Sequence, residues 1–328
     1  MNTRWTGYHS PFASVIERYL AFKRALSRRY DNEEKALRLF DRFLVEQKIT
    51  EVLALTPRVI EAFLASRPRT RPRSYNHLLY VLRHWLSWAA QQGAITAPPV
   101  CPRPRRATSQ RIPFLFDQAL AKQLLALTSE LPDRPKGPDR AATYRMIFVL
   151  LYGLGLRVGE VTRLCYDDVD FRRDLLIIRQ SKFGKSRLVP FGPKMAEELQ
   201  GYMQCRPAPT RDLSQSSPLF SFNRNLPVNP DTVSLTFHHL LPKLKLDIPP
   251  GVSAPRLHDL RHAFATGTLL RWYRSGIDPG TRLLQLSTFL GHVNPASTAV
   301  YLTMTSDLLD TASKRFEQFA CNNRCPQS

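Results

Sequence analysis

Apolar residues in the first third of the chain recur at helical spacing. Leu37, Phe40 and Leu44 form one such stripe. Val59, Ile60, Phe63 and Leu64 form a second, and Leu78, Leu82, Trp85 and Ala89 a third. Thr56 before Pro57 reads as an N-cap followed by a first-turn proline, and Ser74 as the opening of the next helix. The pattern predicts a bundle of about four helices with no strand signal. Beyond residue 112 it becomes mixed. Asp117–Ser129 is helical, and Ala141–Gly155 is an apolar helix that must be buried on most sides. Another helix runs from Arg157 to about Cys165. Leu175–Arg179 and Ser186–Pro190 read as strands of a hairpin with a basic tip, Lys182-Phe-Gly-Lys185. Helices return over Asp231–Leu241, His258–Arg274, Thr281–Leu290 and Ser306–Ala320. The fold class is mainly α with a small antiparallel β-sheet.

The stretch Pro98–Ile112 breaks this pattern. It holds four prolines and four arginines in fifteen residues and no apolar period. Proline disfavours helix interiors and central strands, so the segment reads as an extended linker. It divides the chain into an N-terminal helical domain (1–105), the Pro/Arg-rich linker (98–112) and a larger domain (113–328). A length of 328 residues fits two domains.

Charge adds a partner. Forty-seven Lys and Arg against 27 Asp and Glu give +20, with an isoelectric point near 10.2. So basic a chain attracts nucleic acid, or less often an anionic membrane surface. The longest apolar stretch, Met146–Leu156, is too short to span a bilayer. The N-terminal MNTRWTGYHSPF lacks the apolar core of a secretory signal. Five cysteines without regular spacing predict no disulfide framework and a reducing compartment, hence a cytoplasmic, nucleoid-associated protein. Cys321 and Cys325 would make only half a zinc site and read as tail. Residues 1–112 carry 20 Lys/Arg and 8 Asp/Glu, net +12. Within them Arg67, Arg69, Arg71 and Arg73 precede a helix N-terminus, a suitable place for phosphate contacts. Arg103, Arg105 and Arg106 of the linker suit a segment lying along phosphates. The alternatives are a solvated turn for the first run and a merely soluble linker for the second.

Three short stretches hold proton-transfer and anion-binding groups: Gly155-Leu-Arg157-Val-Gly-Glu160, His258-Asp-Leu-Arg261-His262, and Leu290-Gly-His292 with Tyr301 nine residues on. His258 and Arg261 share a helix face. Gly291 can end a helix just before His292. Two arginines can each fork onto phosphate oxygens. Phosphoryl transfer needs charge stabilisation and in-line positioning more than covalent help. A tyrosine, with an ordinary pKa near 10, becomes a nucleophile beside cations and a base. A lysine on a hairpin can protonate a leaving oxygen.

These residues, in this order, resemble the tyrosine recombinases, or phage-type integrases. The resemblance rests on LLYGLGLRVGEV, the hairpin lysine, PRLHDLRHAFAT and FLGHVNPASTAVY. It covers about Pro113–Ala320 well and the N-terminal domain in general character. It implies a core-binding (SAM-like) helical domain followed by the family's catalytic domain. It implies that Arg157 and Arg261 clamp the phosphate, Lys182 is the general acid for the 5′-oxygen, and His258 acts in proton transfer as base. His292 would donate to a non-bridging oxygen, Tyr301 would form a 3′-phosphotyrosyl link, and Glu160 would support the first arginine. The implied partners are double-stranded DNA carrying recombination sites and three further copies of the chain, with a Holliday-junction intermediate. No cofactor or metal is needed, and a bacterial mobile element is the expected setting. The chain departs from the family pattern at Lys182-Phe, where glycine usually follows the lysine, leaving Lys185 as an alternative acid. A longer stretch between Arg261 and His292 points to an insertion over Trp272–Gly280. The last helix would dock either on a neighbour or within its own domain.

Other readings compete. A type IB topoisomerase-like enzyme would share the chemistry but rejoin the same strand. A catalytically silent DNA-binding regulator could use the same fold, and a metal-dependent hydrolase is a further class. His258 and His262, four apart, faintly resemble a zinc-protease pair, but Asp259 stands where glutamate is required and Arg261 would repel a cation. Tyr152 reads as core, and His238 and His239 as surface. Asp167, Asp168 and Asp170 read as turn residues rather than metal carboxylates.

Overall fold

The computed structural model describes residues 7–26, 28, 30–51, 54–106, 112–133, 139–179, 185–205, 217–222 and 226–303. The hairpin tip with Lys182, linker residues 107–111, the expected last helix 306–320, Cys321 and Cys325 lie outside these. The chain divides into two compact units, residues 1–110 and 111–328.

The first unit is a four-helix bundle: α1 (Ala13–Ala25), α2 (Asp31–Glu46), α3 (Pro57–Ser66) and α4 (Pro72–Gln91). The helical stripes of the sequence meet in an aromatic core. Trp85, fully buried, takes Phe12 and Phe40 edge-on at 5.6 and 5.8 Å, and Phe40 takes Phe63 at 5.0 Å. α4 opens at Pro72 with Arg71 as N-cap, not at Ser74. A proline at the first helical position presets φ and gives up a donor the helix cannot use there.

Segment 98–106 keeps irregular backbone but is tied to α4. Arg83 Nη2 donates to Pro102 O at 2.6 Å. Asn76 exchanges two 2.8 Å hydrogen bonds with the Arg105 backbone.

The second unit is built on α6 (Arg140–Gly153), whose residues Met146 to Leu151 are all buried. It packs against α5 (Gln118–Leu127), α8 (Pro193–Gln204) and α10 (Asp259–Arg274). α7 spans only Val158–Val161, shorter than the helix expected to Cys165. The chain leaves it to pair elsewhere: Leu219 N–H donates to Leu164 O at 2.7 Å and Tyr166 N–H to Ser217 O at 3.1 Å. Tertiary pairing thus overrides local helical preference.

A three-stranded antiparallel sheet follows, β1 (Val169–Asp170), β2 (Leu175–Ile178) and β3 (Arg187–Pro190), in that order. β1 was not expected. It forms because Asp170 accepts from the Arg172 and Arg173 N–H groups, closing a turn onto β2. Asp168 is buried, accepts from Cys165 N–H and pairs with Arg179. Both aspartates therefore serve the turn. α9 (Pro230–Leu240), α11 (Pro279–Leu290), α12 (Ala296–Ala299) and a 3₁₀ turn, Val300–Thr303, complete the described fold. His238 and His239 are exposed, and Tyr152, half-buried, packs against the core.

Candidate active site

The C-terminal end of α11 organises the cationic residues. The last carbonyls of a helix lack intrahelical partners and carry the negative end of its dipole. Three arginines from three elements take consecutive ones. Arg187 Nε donates to Phe289 O at 2.8 Å, Arg261 Nη2 to Leu290 O at 2.6 Å, and Arg157 Nη2 to Gly291 O at 2.9 Å. Gly291, at φ +68°, ends the helix in the left-handed region, and His292 N–H donates back to Ser287 O at 2.9 Å. A Cβ on Gly291 would stand 2.8 Å from Arg187 Nη1.

Glu160 sits beneath two of these guanidiniums. Its carboxylate accepts from Arg157 Nη1 at 2.7 Å and from the Arg157 backbone N–H at 3.0 Å, which caps α7. It also accepts both Arg187 terminal nitrogens at 2.9 Å. Gly155, at φ +60°, turns the chain toward Arg157 and offers its carbonyl to Arg261 Nη1 at 2.6 Å. A Cβ there would meet the Phe264 ring at 2.5 Å.

Arg261 is fully buried. Burial first, then the Arg157 charge, lowers its guanidinium to about 10, so it stays cationic at neutral pH. Its Nε has no hydrogen-bond partner among the described residues.

Tyr301 enters this nest from the 3₁₀ turn after α12 and is 3% exposed. Its phenol lies 2.9 Å from His262 Nδ1, and its ring stacks on His292 at 6.3 Å between centroids. Burial raises the phenol above its ordinary pKa, while Arg261 and Arg157 pull it down. His292 Nδ1 is 2.7 Å from the buried Thr298 hydroxyl. Burial, then Arg261 and Arg157, holds His292 down to about 4. His258 keeps an exposed face. Crowding by surrounding protein, then the charges of His262, Arg261, Arg256 and Arg157, pushes it well below its ordinary value.

Arg157, Glu160, Arg261, His292 and Tyr301 are thus gathered in one site, with His258 at its edge. His258 does not touch the phenol directly. It packs edge-on against His262 at 4.8 Å, and His262 makes the hydrogen bond. Lys185 is exposed just before β3, and Lys182 lies outside the described residues. Sequence reasoning missed Arg187, and it placed His262 in a proton-transfer stretch with no individual role besides a zinc reading. Alternation in β3 held a signal for Arg187: it shares the inward face with fully buried Val189, while Leu188 points out at 58% exposure. Among the described residues no group of three or more His, Cys, Asp or Glu side chains is placed to hold a metal ion, and no helix is long and apolar enough to cross a membrane.

The family model for the phage integrases matches residues 117–307, which span every one of these groups. The chain belongs to the phage integrase family. A Sinorhizobium fredii protein named as an integrase/recombinase, y4rB, is 35% identical over 318 residues, covering 94% of this chain and 98% of its own. Tyrosine recombinase XerA of Pyrococcus horikoshii is 33% identical over 175 residues, 52% of this chain and 54% of its own. The Tn1549 transposon integrase, solved with a circular intermediate DNA, has the same fold, with a TM-score of 0.65 at 17% identity over 93% of this chain and 99% of that one. Lambda integrase, solved as a tetramer on a Holliday junction, gives a TM-score of 0.61 at 19% identity over 88% of this chain and 76% of that one. The mainly helical fold with its small antiparallel sheet is that of these integrase structures, the family match covers residues 117–307, and the protein is a tyrosine recombinase.

The arginines of the first unit are described separately. Arg69, Arg71 and Arg73 are exposed at and just before the start of α4. Arg67 is half-buried and pairs with Glu46 at 3.6 Å. Arg103 and Arg106 are exposed. Arg105 is committed within its own unit: it donates to Arg69 O at 2.8 Å and lies 4.0 Å over the Tyr75 ring.

Proposed function

We propose that this recombinase cuts and rejoins double-stranded DNA at specific sites through a 3′-phosphotyrosyl intermediate on Tyr301. The observation that carries the reading is the placement of the Tyr301 phenol in a cage of cationic and imidazole side chains from its own chain. Arg157 and Arg261 clamp the scissile phosphate, each held by a helix-end carbonyl that fixes the fork before substrate arrives. Arg261 Nε, which has no hydrogen-bond partner among the described residues, is a donor suited to an incoming phosphate oxygen. Glu160 holds Arg157 in place. His292 donates from Nε2 to a non-bridging oxygen when the Thr298 hydroxyl donates to its Nδ1. His258 serves proton transfer at the rim. Lys182, or Lys185, protonates the departing 5′-oxygen. The bond energy is kept in the phosphotyrosine, and a 5′-hydroxyl of a partner strand reverses the step.

The exposed arginines of the first unit, Arg69, Arg71, Arg73, Arg103 and Arg106, supply phosphate contacts. The lambda integrase tetramer supports a four-copy assembly for this chain too, and the transposon integrase supports a bacterial mobile element as its setting.

The test is covalent capture on a library of nicked, random-sequence duplexes, whose short cleaved fragment diffuses away and prevents religation. The wild-type chain should retain DNA through denaturing electrophoresis. Tyr301→Phe should bind the recovered duplex yet form no adduct. Binding without any adduct in the wild type would favour the silent regulator. Two recovered sites on one plasmid separate recombination, which changes linkage, from topoisomerase-like relaxation of the same strand.

A further inference from the structure

We propose that His262 is the base that takes the phenol proton from Tyr301 as its oxygen attacks phosphorus, and the acid that returns it when the strand is rejoined. The inference rests on the reading of Tyr301 as nucleophile and adds a residue and a proton path to it.

The geometry has the parts of a nucleophile–base–orienter relay. Nδ1 of His262 lies 2.9 Å from the Tyr301 oxygen. On the other side of the ring, Nε2 faces the fully buried Asp259 carboxylate at 3.9 Å, beyond direct hydrogen-bond reach. Asp259 is fixed by the Arg256 backbone N–H at 2.8 Å and the Arg256 guanidinium at 3.2 Å. A carboxylate on that side favours the proton on Nε2 and leaves the Nδ1 lone pair for the phenol. Asp259, His262 and Tyr301 connect because α10 places residues three apart on one face, and the turn after α12 brings the tyrosine over it. Groups facing the imidazole among the described residues include Asp259 and His258 from its own helix end, and Tyr301 and His292 from the segment after α11. Arg157 and Arg261 charge the same cavity.

A buried phenol holds its proton at neutral pH, so attack needs an acceptor within reach, and His262 is in hydrogen-bond contact. In the cleavage step the Tyr301 O–P bond forms and the P–O5′ bond breaks. The phenol proton passes to Nδ1, and the 5′-oxygen takes its proton from the hairpin lysine. Rejoining reverses each transfer.

The experiment is single-turnover adduct formation on the duplex recovered by capture, followed from about pH 5 to about pH 9, a window that spans imidazole titration. Wild type should show an acid limb where His262 becomes protonated. His262→Asn keeps an acceptor near the phenol but cannot take up a proton. It should bind the duplex normally, form adduct about 100-fold more slowly and lose the acid limb. Replacing Tyr301 by a difluorotyrosine, a more acidic phenol, should restore His262→Asn by about tenfold or more.

A wild-type rate and pH profile in His262→Asn overturn the inference and leave Tyr301 as nucleophile intact. A slow variant that keeps the acid limb and gains nothing from fluorination also overturns it, because its role is then only structural. Adduct formation by Tyr301→Phe instead overturns the underlying reading. Should His262→Asn fail to fold, the unaltered protein decides through imidazole ¹⁵N shifts: Nε2–H at His262 supports the relay and Nδ1–H contradicts it.

Discussion

Glu160 and Arg187 form a two-pronged pair: both terminal nitrogens of the guanidinium meet the carboxylate at 2.9 Å, with the side chains 10% and 2% exposed. The pair ties β3 to the start of α7. Through Arg187 Nε on Phe289 O it also ties both to the end of α11. Arg187 supports the site by holding the carboxylate that holds Arg157.

Removing Arg187 takes a two-pronged partner from the buried Glu160 carboxylate, which keeps Arg157. Arg187→Ala should destabilise the second unit by about 2 kcal/mol, read from chemical denaturation, and slow adduct formation by tenfold or more. Glu160→Gln should lower stability at least as much, because it leaves Arg157 and the nearly buried Arg187 without their shared carboxylate, and should slow cleavage as Arg157 loses its fixed geometry.

A side chain at Gly291 conflicts with both backbone and space. Gly291→Ala needs φ +68° and pushes a Cβ to 2.8 Å from Arg187 Nη1. The conformation alone costs about 1 kcal/mol. Displacement of Arg187 and His292 should reduce single-turnover cleavage at least tenfold while DNA affinity changes little. Wild-type cleavage in this variant would show that the α11 end does not set the site.

The pH dependence of stability follows from His292. Its folded-state pKa, about 4, lies below the ordinary value near 6.5. Between these values the unfolded chain binds more protons, so stability falls as pH drops through that window and is constant in this respect above it. Melting temperature measured across the window should fall in the wild type, and His292→Asn should flatten part of that slope.

The helical stripes of both units are legible in the sequence because burial of one face leaves a 3.6-residue trace, and Tyr301 is marked by its spacing from Gly291-His292. Arg187 is not legible in the same way. One more arginine in a chain of +20 charge carries no pattern of its own, and its meaning comes from Glu160, 27 positions away. The short α7 is likewise hidden, since its end is decided by hydrogen bonds to residues 217–219. His262 shares its spacing from His258 with a metal pair, and only the fold shows that its ring nitrogen meets a phenol.

Salt dependence tests the first unit. If Arg69, Arg71 and Arg73 each neutralise a phosphate, their triple alanine variant should reduce the slope of log K against log salt by about 3. It should leave thermal stability near wild type, because all three are exposed. An unchanged slope would assign these arginines to solvent.

The most direct measurement is the chemical identity of the attachment point. Covalent protein–DNA adduct from the wild-type chain, digested with nuclease and protease and sequenced by mass spectrometry, should carry a 3′-linked nucleotide on Tyr301. A nucleotide on any other side chain, or DNA bound with no covalent link, would contradict the account.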